Sequence, residues 1–239
     1  MQNLSKSSNT RPIREVEKFF ILDFDRCLSD ADVVFDLFEK IVAEQTDITK
    51  NDMINVREEV EQSGGSFSAT GYVKERLLRL GMIKKWELLV ESYVVFAQNY
   101  DTLAPGAQQL IDRLNYENLD FGILTYGDEE WQKIKLRASK FDDIPVIITD
   151  HKHKGYLLAS WQRPDGKFDI PKGLTTDGMP MIAKKLVFVD DKATSFEGFP
   201  ALNAIGFQVL PFDVTPVVSQ LGSLPPNVAR INSLVDIPV

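Results

Sequence analysis

The sequence predicts an α/β fold: a parallel sheet core with helices on both faces, interrupted after its first strand by an all-helical segment. Three observations carry this. Short continuous apolar runs recur at residues 19–24 (FFILDF), 121–126 (FGILTY), 145–149 (PVIIT) and 186–191 (LVFVDD), with a fifth at 206–212 (GFQVLPF). Unbroken runs of this length suit strands covered on both faces of a parallel sheet. Helical patterns separate the later runs, and residues 30–103 show helical spacing with no strand-like alternation.

Taken in order, the first 15 residues are polar and read as a flexible lead without the apolar segment of a secretory signal. The first strand follows. Val34, Leu37, Phe38, Ile41 and Val42 then recur at helical spacing. GYVKERLLRLG (71–81) reads as a helix stopped at Gly81, and KKWELLVESYVVFAQNY (84–100) as another. A helix starting near Pro105 leads into the second strand, EEWQKIKLRAS (129–139) forms the next helix, and Lys154 opens a helix after the third strand. RPDGK (163–167) is a turn signal joining two short strands, and TSFEGFPALNAIG (194–206) is expected to be the helix between the fourth and fifth strands.

At 239 residues the chain suits a core domain plus a smaller one, and 44% apolar with 26% charged residues is ordinary globular composition. A net charge of −8 without a basic block argues against nucleic acid held by phosphate contacts. No apolar run approaches bilayer-spanning length, and a single cysteine suits a reducing compartment, so the expectation is a cytoplasmic protein without membrane contact.

Open α/β sheets bind ligands beyond the carboxyl ends of their strands. The first run ends at Asp23 with Asp25 after it, the second at Thr125 followed by Tyr126, Gly127 and Asp128, and the fourth at Asp190 and Asp191. If these strands are neighbours, four carboxylates and a hydroxyl meet on one edge. Their mutual repulsion needs an offset, and Mg²⁺, with oxygen ligands and a taste for substrate phosphate, is the simplest. A carboxylate beside the metal can attack phosphorus; a second, two residues on, can protonate the leaving oxygen and then take a proton from water. The phosphoryl oxygens need a hydroxyl, backbone N–H groups and a lysine, for which Thr125 and a downstream lysine are available.

The order of these motifs resembles the haloacid dehalogenase-like hydrolase superfamily. ILDFDRCLSD (21–30) looks like its first motif, FGILTYGD (121–128) its second, LVFVDDK (186–192) its fourth, and LAPGAQQLIDRL (103–114) the segment before the second. The resemblance runs from about residue 16 to about residue 212. It implies a Rossmann-like core at residues 16–29 and 104–239 and a helical cap at 30–103 that closes over the site and selects the substrate. The loop GGSFSATGY (64–72) is the expected specificity element. The implied activity is a Mg²⁺-dependent phosphatase acting on a small-molecule phosphate ester through an aspartyl-phosphate. A phosphomutase of the same family, or a catalytically weakened binding protein on the same fold, is the alternative.

Residue by residue, the resemblance makes Asp23 the nucleophile and a metal ligand. It makes Asp25 the general acid/base, with its backbone carbonyl on Mg²⁺, and Thr125 a phosphoryl-binding hydroxyl with Tyr126 beside it. Asp190 and Asp191 complete the metal site. Lys154 fits the family's lysine best, with Lys172 and Lys152 as competitors. The chain departs from the family at Arg26 and Cys27, where glycine and threonine are usual. The histidines at 151 and 153 read as solvated loop residues.

Overall fold

The computed structural model describes residues 13–62, 67–210 and 220–239. Most of the expected lead (1–12), part of the expected specificity loop (64–66) and the end of the fifth run (211–212) lie outside the described residues. Among those described, no helix is long and apolar enough to cross a membrane.

Strand β1 (Arg14–Leu22) lies at the centre of the sheet. It starts earlier than the lead boundary at residue 15 implied: Arg14 and Glu15 pair in register with Met181 and Ile182, and the Arg14 guanidinium bonds the Asp120 carboxylate. In the first half of this strand Arg14, Glu15 and Glu17 are exposed and Val16 and Lys18 half-buried; four buried residues follow, from Phe19 to Leu22. Phe20 and Leu22 pack into one cluster, Phe19 and Ile21 into another, so the unbroken run serves both faces. Burial of each such side chain stabilises by roughly 1.5–3 kcal/mol.

The other strands are β2 (Asp120–Tyr126), β3 (Val146–Thr149), β4 (Phe168–Ile170), β5 (Met181–Asp190), β6 (Ala204–Val209) and β7 (Val228–Ile231). The order across the sheet is β3-β2-β1-β5-β6-β7, all parallel, with β4 antiparallel to β5. RPDGK forms the expected turn, but only one of the two expected short strands, β4, follows from it; on the other side Gln162 makes a single isolated bridge to Phe168.

Among the described residues, seven α-helices accompany the sheet. Helices α1 (Ala31–Gln45), α2 (Lys50–Gln62), α3 (Ala69–Arg79) and α4 (Trp86–Ala97) follow β1. Asp30 caps α1 by accepting from the Asp32 and Val33 N–H groups, and Ser68 caps α3 through the Gly71 N–H. The predicted face of α1 is the buried one. This helical segment does not build its core alone: Trp131, Ile134 and Ala138 of α6 (Glu129–Ala138) belong to the same cluster. Its two connections to the sheet run side by side, with the Asp30 N–H bonded to the Thr102 carbonyl and the Ala104 N–H to that of Leu28.

Helix α5 (Ala107–Tyr116) packs Ala107, Leu110, Ile111 and Leu114 into the cluster containing Phe20 and Leu22. Helix α7 (Lys154–Ser160) packs Leu158 on the opposite face with Phe19 and Ile21. One expected helix is absent. Between β5 and β6 only a 3-10 turn forms, Ala193–Phe196. Gly198 and Asn203 take positive φ angles of 73° and 57°, and Pro200 lacks the N–H a helix requires there. The apolar residues that suggested a helix, Phe196 and Phe199, instead pack on Phe188 of β5.

Candidate active site

Asp23 directly follows β1. Its N–H donates to the Val189 carbonyl of β5 at 2.8 Å, which holds the residue at the sheet's carboxyl edge. Asp190 ends β5 and Asp191 follows it. The carboxylates of Asp23, Asp190 and Asp191 offer ligand atoms that all lie within 4.8 Å of one another, and all three residues are buried. Thr125, near the end of β2, is fully buried, and its hydroxyl has no partner among the described residues.

Lys154, at the start of α7, reaches this cluster. Its Nζ donates to Asp23 Oδ1 at 2.5 Å and to Asp190 Oδ2 at 2.7 Å, and the residue is 3% exposed. Its competitors stand elsewhere: Lys152 and Lys172 are exposed. A close crossing positions Lys154. A Cβ on Gly155 would stand 2.4 Å from the Glu197 carbonyl oxygen and 2.9 Å from the Phe199 nitrogen. Gly155→Ala is therefore expected to push the start of α7 outward and destabilise the fold by about 1–3 kcal/mol. A thermal melt checks this; an unchanged melting temperature would show that the crossing relaxes freely.

Charge balance explains how this cluster can exist. Burial first, then the neighbouring Asp190 carboxylate, raises the Asp23 carboxyl to about 6, against the pull of Lys154 and Lys192. Burial, Asp190 and Asp23 raise Asp191 to about 7. Burial alone would pull the Lys154 ammonium down, but Asp190 and Asp23 overcome it and hold the lysine charged. Three carboxylates against two lysines leave an excess of negative charge. Asp191 shows the same deficit in geometry: Oδ2 accepts from Gln220 Nε2 at 2.7 Å, while Oδ1 is buried without a partner among the described residues. An all-oxygen set with an orphaned, buried carboxylate oxygen fits a hard dication such as Mg²⁺.

Asp25 stands apart. Its carboxylate is not part of the cluster; Oδ1 accepts from Lys135 Nζ and Oδ2 from Gln132 Nε2, at 2.8 Å for the latter. Burial would raise this carboxyl, but Lys135 and Gln132 prevail and lower it. Tyr126 is half-buried, and its carbonyl accepts from Gln132 Nε2 at 3.0 Å.

The two departures from the expected first motif have physical accounts. Arg26 sits at φ 59°, in the left-handed region that favours glycine, and its guanidinium pairs with Asp32 at 3.1 Å. Cys27 is buried, and burial, reinforced by the Asp23, Asp190 and Asp191 charges, pushes its thiol well above the usual range. It stays protonated and is no nucleophile.

Sequence reasoning missed the partners of these residues. Lys135 and Gln132 lie on the buried face of α6, and their signal was two polar residues among Trp131, Ile134 and Leu136. Gln208 donates to the Asp191 carbonyl at 2.9 Å and to the Gln220 carbonyl at 2.6 Å, and accepts from Arg230 Nε at 2.9 Å. Its signal was one polar residue within the apolar run GFQVLPF. Lys192, part of LVFVDDK, feels all three carboxylates, which outweigh burial and raise its ammonium.

No protein-family model matches the sequence, and the curated proteins contain no match to it. Solved structures do match. A protein named as a haloacid dehalogenase-like hydrolase of Burkholderia xenovorans LB400 is 21% identical, with a TM-score of 0.56 over 93% of this chain and 99% of that one. A protein named as a β-phosphoglucomutase of Thermotoga maritima is 13% identical, with a TM-score of 0.53 over 92% and 97%. The HAD-hydrolase YfnB of Bacillus subtilis, described as bound to magnesium, is 19% identical, with a TM-score of 0.50 over 93% and 97%. At such identities the likeness speaks for architecture, and it spans nearly the whole chain: this protein has the haloacid dehalogenase-like hydrolase fold.

Proposed function

We propose that the protein is a Mg²⁺-dependent phosphohydrolase acting on a small phosphorylated metabolite, with residues 30–103 as the cap over the site. One observation carries the reading. At the carboxyl edge of the sheet, Asp23 stands against the Lys154 ammonium, within a buried carboxylate cluster, while the Thr125 hydroxyl is buried without a partner among the described residues. That arrangement supplies a nucleophile, a cation for phosphoryl oxygens and a free hydrogen-bonding group.

Asp23 attacks phosphorus and the ester P–O bond breaks; Asp25, which Lys135 and Gln132 hold ionised in the free protein, takes up the proton of a monoanionic phosphate ester on binding and gives it to the leaving oxygen. The ionised Asp25 then takes a proton from water, whose oxygen attacks the aspartyl-phosphate at phosphorus; inorganic phosphate leaves and the Asp23 carboxylate is restored. Lys154 and Thr125 hold the phosphoryl oxygens, with Tyr126 beside them. The Asp23 and Asp191 carboxylates would hold Mg²⁺, supported by Asp190 and the Asp25 backbone carbonyl. When bound, the metal offsets the carboxylate repulsion and the charge of the phosphate. The magnesium described for the B. subtilis relative agrees with this choice of ion.

Release of phosphate from 4-nitrophenyl phosphate tests the reading. Turnover is expected with Mg²⁺ and is expected to vanish with excess chelator; turnover that survives chelation would overturn the metal-dependent mechanism. The likeness to a protein named as a β-phosphoglucomutase motivates a second reading, phosphoryl transfer between positions of one substrate. Dependence of the rate on a sugar bisphosphate activator would favour it over hydrolysis.

A further inference from the structure

Two buried glutamines behind Asp191 have no part in the mechanism above. Gln208 is fully buried and Gln220 is 4% exposed. Burying an amide is costly unless its hydrogen bonds are met. Gln208 stands in β6, whose other residues are apolar.

The sheet register puts Gln208 between Asp190 of β5 and Arg230 of β7. Its neighbours fix the amide orientation. Nε2 donates to two carbonyls, of Asp191 at 2.9 Å and of Gln220 at 2.6 Å, while Oε1 accepts from Arg230 Nε at 2.9 Å. Turned over, the amide would set its oxygen against two carbonyl oxygens and its nitrogen against a guanidinium. Arg230 also donates through Nη2 to the Gly222 carbonyl, so the segment from Gln220 to Gly222 is held at both ends. The same segment packs closely on the turn after Asp191: a Cβ on Gly222 would stand 3.2 Å from that of Ala193. Gln220 then reaches Asp191, and its Nε2 donates to Oδ2 at 2.7 Å.

The three carboxylates of the cluster differ in what is left open. On Asp190, Oδ2 accepts from Lys154 and Oδ1 from the Lys192 N–H at 2.8 Å. On Asp23, Oδ1 accepts from Lys154. On Asp191, among the described residues, Oδ2 alone is engaged, and by a neutral amide; Oδ1 is buried without a partner.

We propose that Gln220, held by Gln208 and Arg230, is a positioning residue that fixes the plane of the Asp191 carboxylate and reserves Oδ1 for a divalent cation. This rests on the metal site of the phosphohydrolase reading. A neutral donor suits the task. It orients the carboxylate without cancelling the charge that attracts the ion, as a lysine would. Mg²⁺ demands near-ideal octahedral geometry, and a carboxylate already presenting one oxygen in one direction has little ordering left to do when the ion arrives.

The test measures Mg²⁺ binding by the full chain after chelation and dialysis. The dissociation constant is read from the rise in melting temperature over a Mg²⁺ series. Burial, with the neighbouring carboxylates, raises the Asp191 carboxyl to about 7, so the series is run at pH 8.5, where the constant reports geometry rather than proton release. Gln220→Leu removes the donor and keeps much of the bulk. It is expected to raise the Mg²⁺ dissociation constant about 10- to 100-fold. The Mg²⁺ concentration giving half-maximal turnover of 4-nitrophenyl phosphate should rise by the same factor. At saturating Mg²⁺, kcat should fall by less than about threefold, since Gln220 acts only through Asp191. Arg230→Leu, at the exposed far end of this chain of contacts, should raise the dissociation constant about two- to fivefold.

A merely structural role would lower the melting temperature of the metal-free form and leave the constant unmoved. A folded Gln220→Leu that binds Mg²⁺ as the parent does, or that loses kcat alone, would therefore overturn the positioning role and leave the phosphohydrolase standing. A parent that binds no Mg²⁺ would remove the metal site and this inference with it. If Gln220→Leu does not fold, Arg230→Leu decides, and an unchanged dissociation constant there would overturn the proposal.

Discussion

Asp23→Asn is expected to lower phosphate release from 4-nitrophenyl phosphate by about 10⁴-fold or more, with the fold intact. An amide has the shape of the carboxylate but cannot attack phosphorus, and loss of a covalent nucleophile removes the whole two-step route. The fold should survive for an electrostatic reason. Burial and Asp190 raise the Asp23 carboxyl to about 6, so its charged form is disfavoured in the metal-free protein. A neutral amide relieves that repulsion, while Lys154 keeps Asp190 as its partner at 2.7 Å. Circular dichroism and a thermal melt should therefore place the variant within a few degrees of the parent. More than about 1% of the parent rate in a folded variant would sink the assignment of Asp23 as nucleophile.

The second large effect concerns stability and pH. In the metal-free protein Asp191 has its carboxyl raised from 3.8 to about 7, by burial, Asp190 and Asp23 in that order. Below pH 3.8 the folded and unfolded forms both carry the proton, and the contribution of Asp191 is fully present. Between 3.8 and about 7 the folded form keeps a proton that the unfolded form has lost, so stability falls as pH rises. Above that it levels off. Replacing the group by Asp191→Asn removes this slope. Under chelation, the variant should gain on the parent between pH 5 and pH 7.5 by roughly 1–3 kcal/mol, since one pKa unit is worth about 1.4 kcal/mol and the acids share one repulsion. Urea unfolding at the two pH values measures it.

Mg²⁺ should reverse the ranking at pH 7.5. It is expected to raise the melting temperature of the parent and to leave Asp191→Asn almost unmoved, because the variant lacks a carboxylate at the site. The shift should shrink at pH 5, where the ion must displace protons. A parent–variant difference that does not change with pH, or an equal Mg²⁺ shift in both, would refute this account of the cluster. The trade is a familiar one: a binding site held ready for an absent cation weakens the fold that carries it.

Much of the architecture was legible because burial writes itself into composition. The run at residues 19–22 is unbroken because β1 is central and its residues feed clusters on both faces, Phe20 and Leu22 to one and Phe19 and Ile21 to the other. The helical segment was legible because Val34, Leu37, Phe38, Ile41 and Val42 form one buried stripe. Where apolar residues recur without a regular element, the same signal misleads. Phe196 and Phe199 pack on Phe188 from a 3-10 turn and a loop, and Gly198 and Pro200 prevent the helix their spacing suggested. Strand β7 went unread because only four residues form it, at a half-exposed edge, with no apolar run to mark it.

The sequence by itself determined the carboxylates at the strand ends, since charge following an apolar run is visible without coordinates. Among six lysines between the third and fourth runs it ranked Lys154 first by resemblance to a family, and only the tertiary structure brings that ammonium to Asp23 and Asp190. Tertiary structure alone also separated Asp25 from its neighbour two residues away, turning one carboxylate toward Asp190 and Asp191 and the other toward Lys135 and Gln132. The physical reason is the same in both cases. A strand's direction and burial are local properties of its residues, whereas a hydrogen-bond partner 110 positions away is chosen by how the helices close over the sheet.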